Sequence, residues 1–184
     1  IPSPEERLKS YPHELSGGLC QRVMIAMSLI SRPKVLLADE PTTALDVTIQ
    51  KQILILLKDL QRELGMSMIF VTHDLGVMAQ VADRINVMYA GEVIESASTK
   101  MILRQPKHPY TYGLIKSLPE ENNLQLKTKL YSIEGVVPSM AQRPQGCQFA
   151  PRCFLKDEKC SQQDIELTSH SDLHLLRCLK EVTV

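Results

Sequence analysis

Two carboxylates at the end of an apolar run are the first candidates for chemistry. Residues 35–40 read Val-Leu-Leu-Ala-Asp-Glu, so Asp39 and Glu40 follow a segment that is typical of a buried strand. In open parallel sheets, ligands bind beyond the carboxyl ends of the strands. An Asp there can hold Mg²⁺, and the adjacent Glu can orient an attacking water. Taken alone, the pair also fits a strand that ends in a solvated acidic turn.

A serine and two glycines open the first long predicted helix. Ser16 can cap the helix with its hydroxyl, and Gly17 and Gly18 leave the first N–H groups unobstructed. Such N–H groups, at the positive end of the helix dipole, form a ready site for phosphate. The same residues also fit a plain serine cap with small neighbours.

A histidine and a further acid complete the set of candidates. His73 follows a second apolar run, residues 67–72, and could donate a hydrogen bond to a terminal phosphate beside Glu40. A lone His after a strand is more often a structural residue. Asp46 lies just before a predicted helix, where it also fits an ordinary acid in a helical first turn.

The elements that must position these residues alternate between helix and strand. Apolar spacing predicts helices over residues 16–32, 48–64, 74–82, 98–104 and 111–117. Short apolar runs predict strands buried on both faces at residues 34–38 and 67–72, a hairpin of residues 84–89 and 92–95, and a strand at residues 130–137. The alternation predicts an α/β fold with a parallel sheet and crossover helices. A polar linker is predicted over residues 119–129.

Four cysteines crowd the end of the chain, with the spacing C-x₅-C-x₆-C-x₁₇-C. They are Cys147, Cys153, Cys160 and Cys178. In a reducing compartment such a cluster is more often a metal site than a disulfide frame. Four thiolates suit a [4Fe–4S] cluster or Zn²⁺, and four unligated thiols in a small core remain the alternative.

Charge and hydropathy exclude several classes of partner. Twenty-one basic and 21 acidic residues cancel, so no basic excess points to nucleic acid. The apolar runs are shorter than the roughly 20 residues that cross a bilayer, and the N-terminus does not resemble a signal peptide. We therefore expect a cytosolic protein, and a chain that starts partway into a longer one.

Together and in this order, these segments resemble the second half of an ATP-binding-cassette (ABC) ATPase. Residues 15–22 resemble the signature motif, although Leu19 and Cys20 depart from its usual residues. Residues 35–41 resemble Walker B with its catalytic Glu, residues 43–46 resemble the D-loop, and His73 resembles the switch histidine. The resemblance implies a partial P-loop NTPase fold that uses ATP and Mg²⁺.

The resemblance also implies a role for each residue. Asp39 would hold Mg²⁺ through water, Glu40 would polarise the attacking water, and His73 would contact the γ-phosphate. Asp46 would couple the two sites of a nucleotide-sandwiched dimer. The residues that would meet, or lie beside, the γ-phosphate bound on the opposite subunit are Ser16, Gly17, Gly18 and Gln21.

The phosphate-binding loop of the family is absent from these 184 residues, which contain no Gly-x-x-x-x-Gly-Lys-Ser/Thr. We therefore expect this chain alone not to hydrolyse ATP, and expect it to be a cut fragment or the product of a truncated gene. The predicted domains are residues 1–104, the later part of an ABC ATPase, and residues 105–184, a small irregular Cys-rich extension.

The extension resembles the C-terminal region of oligopeptide, dipeptide and nickel importers. The matching segments are residues 106–111, 117–119, 133–139 and 146–153. The resemblance implies an ATPase subunit for peptide uptake, on the cytoplasmic face of the plasma membrane. Its implied partners are a second ATPase subunit, two membrane-spanning permease subunits and an extracytoplasmic substrate-binding protein. Some related cassettes hold an iron–sulfur cluster in this extension, which favours iron over zinc.

Other classes of function stay open at this point. They are a nickel-importer ATPase, a non-transport ABC protein of repair or translation, and a zinc-binding interaction module that rests on the cysteines alone. The sequence does not distinguish peptide from nickel, because selectivity lies in other subunits.

Overall fold

The computed structural model describes residues 1–118, 131–171 and 173–183, which form two compact units, Ile1–Val81 and Ala82–Val184. The first unit contains α1 (Pro4–Arg7), α2 (Gly17–Leu29), β1 (Val35–Asp39), α3 (Val47–Leu64), β2 (Ser67–Val71) and α4 (Leu75–Val81). The second contains β3 (Arg84–Tyr89), β4 (Glu92–Ser98), α5 (Thr99–Arg104), α6 (Pro109–Lys116), β5 (Thr168–Ser171) and β6 (His174–Leu176). Short 3₁₀ turns occur at Pro12–Glu14, Met140–Gln142, Ala150–Arg152 and Glu158–Ser161.

The predicted elements of the first unit are confirmed, with ends that shift by a few residues. Strands β1 and β2 are parallel neighbours, in a register that runs from Val35 opposite Ser67 to Asp39 opposite Val71. Helix α3 is the crossover between them. These elements form a β–α–β unit, as the predicted α/β arrangement requires.

None of the described helices combines the length and apolar character that crossing a bilayer requires.

Helix α3 begins one residue before its predicted start and ends at its predicted last residue. The Asp46 carboxylate accepts a hydrogen bond from the Ile49 N–H at 2.9 Å, which caps the first turn. A cap of this kind stabilises a helix by about 1 kcal/mol. Gly65 ends the helix with a left-handed φ of 61°, a conformation that glycine adopts without steric cost.

One apolar stripe of α3 forms the core of the first unit. Ile53 and Leu57 are almost fully buried and pack with Ile25 of α2, Leu36 of β1 and Met66. Each fully buried side chain of this size contributes about 1.5–3 kcal/mol through removal of its surface from water. The stripe therefore attaches both α2 and the sheet to α3.

The prediction that β1 and β2 are buried on both faces is wrong for this structure. Leu36 and Ala38 are buried, whereas Leu37 is 66% exposed and Ile69 is 55% exposed. Side chains alternate between the two faces of a strand. Within the described part of the first unit, helices cover only the face that carries Leu36 and Ala38.

The second unit contains an antiparallel sheet in the strand order β3-β4-β6-β5. The predicted hairpin is confirmed, and β3 and β4 turn at Ala90 and Gly91, which both have positive φ. The hairpin of β5 and β6 was not predicted, and β6 joins the sheet by pairing with β4. The predicted domain boundary between residues 104 and 105 lies within this unit and stays a prediction.

The predicted strand at residues 130–137 is wrong over residues 131–137, which carry no strand. The Arg152 side chain holds this segment instead, because its guanidinium donates to the carbonyls of Ile133 and Glu134 at 2.9 and 2.8 Å. Gly135 adds a kink with its φ of 81°. Leu130 and the predicted linker over residues 119–129 lie outside the described residues.

A buried carboxylate organises the sheet of the second unit. Glu95 on β4 is fully buried, and it accepts hydrogen bonds from the N–H groups of Lys107 and His108 at 2.7 and 3.0 Å. The Nε2 atom of His174 on β6 lies 2.9 Å from the same carboxylate. A buried charge is tolerated only when it is paired and hydrogen-bonded, and these three groups meet that need.

Helices α2 and α3 approach each other closely at Gly18. A Cβ atom at Gly18 would lie 2.6 Å from Cγ2 of Ile49, whereas one at Gly17 would lie 3.5 Å from Cδ2 of Leu45. The first distance is far below van der Waals contact and the second is ordinary. Ile49 has little freedom to yield, because a β-branched side chain has one strongly preferred rotamer in a helix.

We expect Gly18→Ala to lower the free energy of unfolding by roughly 1 kcal/mol, because the overpacking at Ile49 outweighs the gain in helix propensity. Gly17→Ala is the matched control and should leave the stability unchanged or slightly raised. In an Ile49→Ala background, Gly18→Ala should no longer destabilise. Urea denaturation of the four variants measures this, and an equal effect of both glycine substitutions would contradict the packing account.

Candidate functional site

Glu40 and His73 meet at the carboxyl ends of β1 and β2. The Glu40 N–H donates to the Val71 carbonyl at 2.9 Å, which extends the ladder by one residue past β1. Nδ1 of His73 then lies 2.9 Å from Oε1 of Glu40. The sequence predicted that the sheet would bring these two residues together, and the structure places them in hydrogen-bond contact.

The backbone of Glu40 is in a left-handed conformation, with a φ of 44°. Left-handed non-glycine residues cost on the order of 1 kcal/mol and cluster at functional sites. This turn directs the residues that follow back toward Glu40. The Thr43 N–H donates to the Glu40 carbonyl at 3.2 Å, and Oγ1 of Thr43 donates to Oε2 of Glu40 at 2.7 Å.

Thr43 is the partner of Glu40 that the sequence analysis missed. It appeared there only as part of the segment 43–46. The available signal was its place three residues after Glu40 in a tight turn, but spacing alone does not reveal where the hydroxyl points. In the structure, Thr43 and His73 bind different oxygen atoms of one carboxylate.

The contact between Glu40 and His73 changes the acidity of both groups. The hydrogen bond from His73, and then that from Thr43, lower the pKa of the Glu40 carboxyl below its usual value. The hydrogen bond to Glu40 raises the pKa of His73. Both side chains stay accessible, with 42% of Glu40 and 78% of His73 exposed. The pair is therefore an ionised carboxylate beside an imidazole whose protonated form is favoured, and both groups are accessible to a ligand.

Asp39 ends β1 on the same face as the exposed side chain of Leu37. It lies opposite Val71 in the register of the two strands, one residue before Glu40. An exposed carboxylate oxygen is a ligand that Mg²⁺ accepts, directly or through water. The position of Asp39 therefore fits the predicted magnesium role, which the described contacts leave untested.

The residues of the signature segment lie at the start of α2. Oγ of Ser16 accepts a hydrogen bond from the Leu19 N–H at 3.4 Å, so Ser16 is the N-cap of this helix. The N–H groups of Gly17 and Gly18 have no i−4 partner, as at the start of any helix. Gln21 lies in the next turn of α2. The segment contacts α3 at Gly18, and its phosphate role stays a prediction.

The structure gathers the four cysteines in one region of the second unit. The Cys147 N–H donates to the Cys160 carbonyl at 2.8 Å. Burial first, and then the nearby Cys147, Cys153 and Cys160 thiols, raise the pKa of Cys178 to about 12. The four side chains are therefore electrostatic neighbours.

The thiols are not arranged around a common point. In the part of the chain that the structure describes, no group of three or more His, Cys, Asp or Glu side chains is placed to hold a metal ion. Sγ of Cys160 donates to Oδ1 of Asp157 at 3.4 Å, and Sγ of Cys178 donates to the Lys180 carbonyl at 2.7 Å. Each of these two thiols is turned to an oxygen in its own loop, so the metal site stays a prediction.

Comparisons with known families match two stretches of this chain. Residues 2–43 match the family described as ABC transporter. Residues 94–160 match the family described as the C-terminal region of oligopeptide/dipeptide transporters. The first stretch contains the signature segment, Asp39 and Glu40, whereas His73 lies outside both.

Several curated proteins are similar over nearly all of the chain. The dipeptide transport ATP-binding protein DppD of Haemophilus influenzae is 54% identical over 167 residues, which are 91% of this chain and 50% of that protein. A putative peptide import ATP-binding protein of Brucella ovis is 51% identical and covers 98% of this chain and 54% of its own length. DppD of Bacillus subtilis is 52% identical, with 97% and 52% covered. The chain thus spans about half the length of the curated relatives it matches.

We expect the pKa of His73, followed by NMR, to lie above its ordinary 6.5 and to fall toward that value in Glu40→Gln, which removes the charged acceptor. Because folding raises this pKa, the contact stabilises the fold below about pH 6.5 for as long as Glu40 stays ionised, and it stops doing so as pH rises through the raised pKa. Asp59→Asn removes an exposed carboxylate that does not contribute to the shift, and should change nothing. An unshifted His73 in the unsubstituted chain would contradict the contact.

Proposed function

We propose that this chain, which matches the ABC transporter family over residues 2–43 and the C-terminal region of oligopeptide/dipeptide transporters over residues 94–160, forms part of the ATP-hydrolysing subunit of a peptide importer. The contact between Glu40 and His73 at the ends of two parallel strands is the observation that carries this proposal. It joins a carboxylate that can orient water to an imidazole that can donate to phosphate. Hydrolysis of ATP would use both groups side by side.

Glu40 would orient the attacking water. Its carboxylate is ionised and accessible, and each of its oxygens has lone pairs beyond the one that accepts from His73 or Thr43. The lowered pKa of Glu40 favours a carboxylate that polarises water over one that keeps its proton. His73 uses Nδ1 for Glu40, so Nε2 is the nitrogen that would donate to the γ-phosphate.

Asp39 would hold Mg²⁺ through water, and this ion would neutralise charge on the phosphates. At the start of α2, Ser16, Gly17 and Gly18 would present their donors to the γ-phosphate bound by a second subunit. Gln21 would lie beside that contact. Asp46, already the cap of α3, would couple the two sites of the dimer.

The proposed setting is an importer with two ATPase subunits and two membrane-spanning permease subunits, at the cytoplasmic face of the plasma membrane. An extracytoplasmic binding protein would deliver the cargo. The printed names of the relatives support di- or oligopeptides as that cargo. The 184-residue chain would need the phosphate loop of the intact subunit to turn over ATP, because its own sequence has none.

We expect Glu40→Gln in the intact subunit to lower ATP turnover by roughly 10²- to 10⁴-fold while ATP binding persists, because the amide keeps the shape but loses the basic oxygen. Glu63→Gln, at an exposed position of α3, is the matched control and should be silent. Phosphate release and nucleotide binding measure the two effects. Near-normal turnover of Glu40→Gln would refute the role of Glu40, and turnover by the 184-residue chain alone would refute the need for the loop.

We further propose that Cys147, Cys153, Cys160 and Cys178 hold a [4Fe–4S] cluster. Four thiols suit this cluster chemically, and the hydrogen bond from the Cys147 N–H to the Cys160 carbonyl brings two of the cysteine-bearing loops together. The thiols of Cys160 and Cys178 would have to turn away from their present acceptors. When bound, the cluster would link loops that have little other regular structure.

Anaerobically purified protein should be brown and carry roughly four irons per chain. Cys153→Ser should bleach it, whereas Cys20→Ser, at the lone cysteine of α2, should not. Iron and zinc analysis with an absorption spectrum gives the answer. Colourless protein with stoichiometric zinc would show that the site binds zinc and would refute the iron–sulfur cluster. Metal-free protein with four titrating thiols would refute the site.

A further inference from the structure

Thr43 provides a second anchor for the Glu40 carboxylate. Oγ1 of Thr43 donates to Oε2 at 2.7 Å, while Nδ1 of His73 is 2.9 Å from Oε1. We propose that Thr43 is a positioning residue for ATP hydrolysis, which fixes the plane of the Glu40 carboxylate so that its free lone pairs face the attacking water. This inference rests on the proposed function.

One hydrogen bond does not fix a carboxylate. The terminal torsion of a Glu side chain is broad, so a carboxylate held at one oxygen can still rotate about its bond to Cγ. A donor on the other oxygen removes that rotation. Since 42% of Glu40 and 78% of His73 are exposed, solvent competes with their contact and packing does not restrain them.

The backbone of the turn holds the Thr43 hydroxyl in place. The Thr43 N–H binds the Glu40 carbonyl at 3.2 Å, so the two residues are joined by both main chain and side chain. Glu40 and Ala44 both have positive φ, of 44° and 62°, and Thr42 between them is buried. The turn is thus fixed at both ends, and such preorganisation makes a hydrogen bond useful in a transition state.

The contact of Thr43 differs from a merely structural one in what it joins. Asp46 and Ser16 cap helices by binding backbone N–H groups. The Thr43 hydroxyl instead donates to an exposed carboxylate that already has a second donor. Loss of this hydroxyl should therefore affect the orientation of Glu40 more than the stability of the fold.

The test compares variants of the intact subunit in steady-state ATP hydrolysis. We expect Thr43→Val, which keeps the shape and loses the hydroxyl, to lower kcat roughly tenfold with little change in KM, the size of one charge-assisted hydrogen bond. Thr43→Ser should restore most of the activity. Thr48→Val, at an exposed threonine on α3, is the control. If Thr43→Val does not fold, Thr43→Ala removes the same hydroxyl.

A double-mutant cycle gives the sharper result. Single-turnover hydrolysis by Glu40→Gln should show no further loss when Thr43→Val is added, because Thr43 acts through the carboxylate. Normal kcat in Thr43→Val, equal losses in Val and Ser, or an additive loss in the Glu40→Gln background would each overturn the inference. If Glu40→Gln retained near-normal turnover, the proposed function itself would be refuted. Normal kcat in Thr43→Val beside an inactive Glu40→Gln would refute only the role of Thr43.

Discussion

The ladder between β1 and β2 continues one residue beyond β1, because the Glu40 N–H donates to the Val71 carbonyl. The contacts that Glu40 makes with His73 and Thr43 depend on that pairing. It aligns the ends of two strands that lie far apart in sequence, and it brings His73 to the side chain of Glu40. The chain then turns at Glu40, whose backbone is left-handed, while its N–H keeps the ladder hydrogen bond. This turn brings the Thr43 hydroxyl to the same carboxylate.

The parts of this arrangement that sequence predicts are those set by local chemistry. The apolar spacing predicted α3 to within one residue, because Asp46 and Gly65, whose capping effects are confined to one turn, set its limits. Two apolar runs separated by a helix imply a parallel pair, and a parallel pair places the residues after each run at one edge. The proximity of Glu40 and His73 follows from these two facts.

The parts that sequence does not predict depend on side chains that meet across the chain. Residues 131–137 have the composition of a strand, yet the guanidinium of Arg152 binds their carbonyls in place of a neighbouring strand. Glu95 is a residue type that strands usually expose, yet its carboxylate is buried and hydrogen-bonded to Lys107, His108 and His174. No periodicity signals such partners, because period describes which face a residue is on and not what approaches that face.

The close approach at Gly18 has a mechanical consequence. The first turn of α2 touches the first turn of α3 at Ile49, and the N–H of Ile49 is also the group that Asp46 caps. With no Cβ at Gly18, the backbone of the first turn of α2 packs directly against the Ile49 side chain. A displacement of either turn would therefore press on the other, so the start of α2 and the loop before α3 should move together.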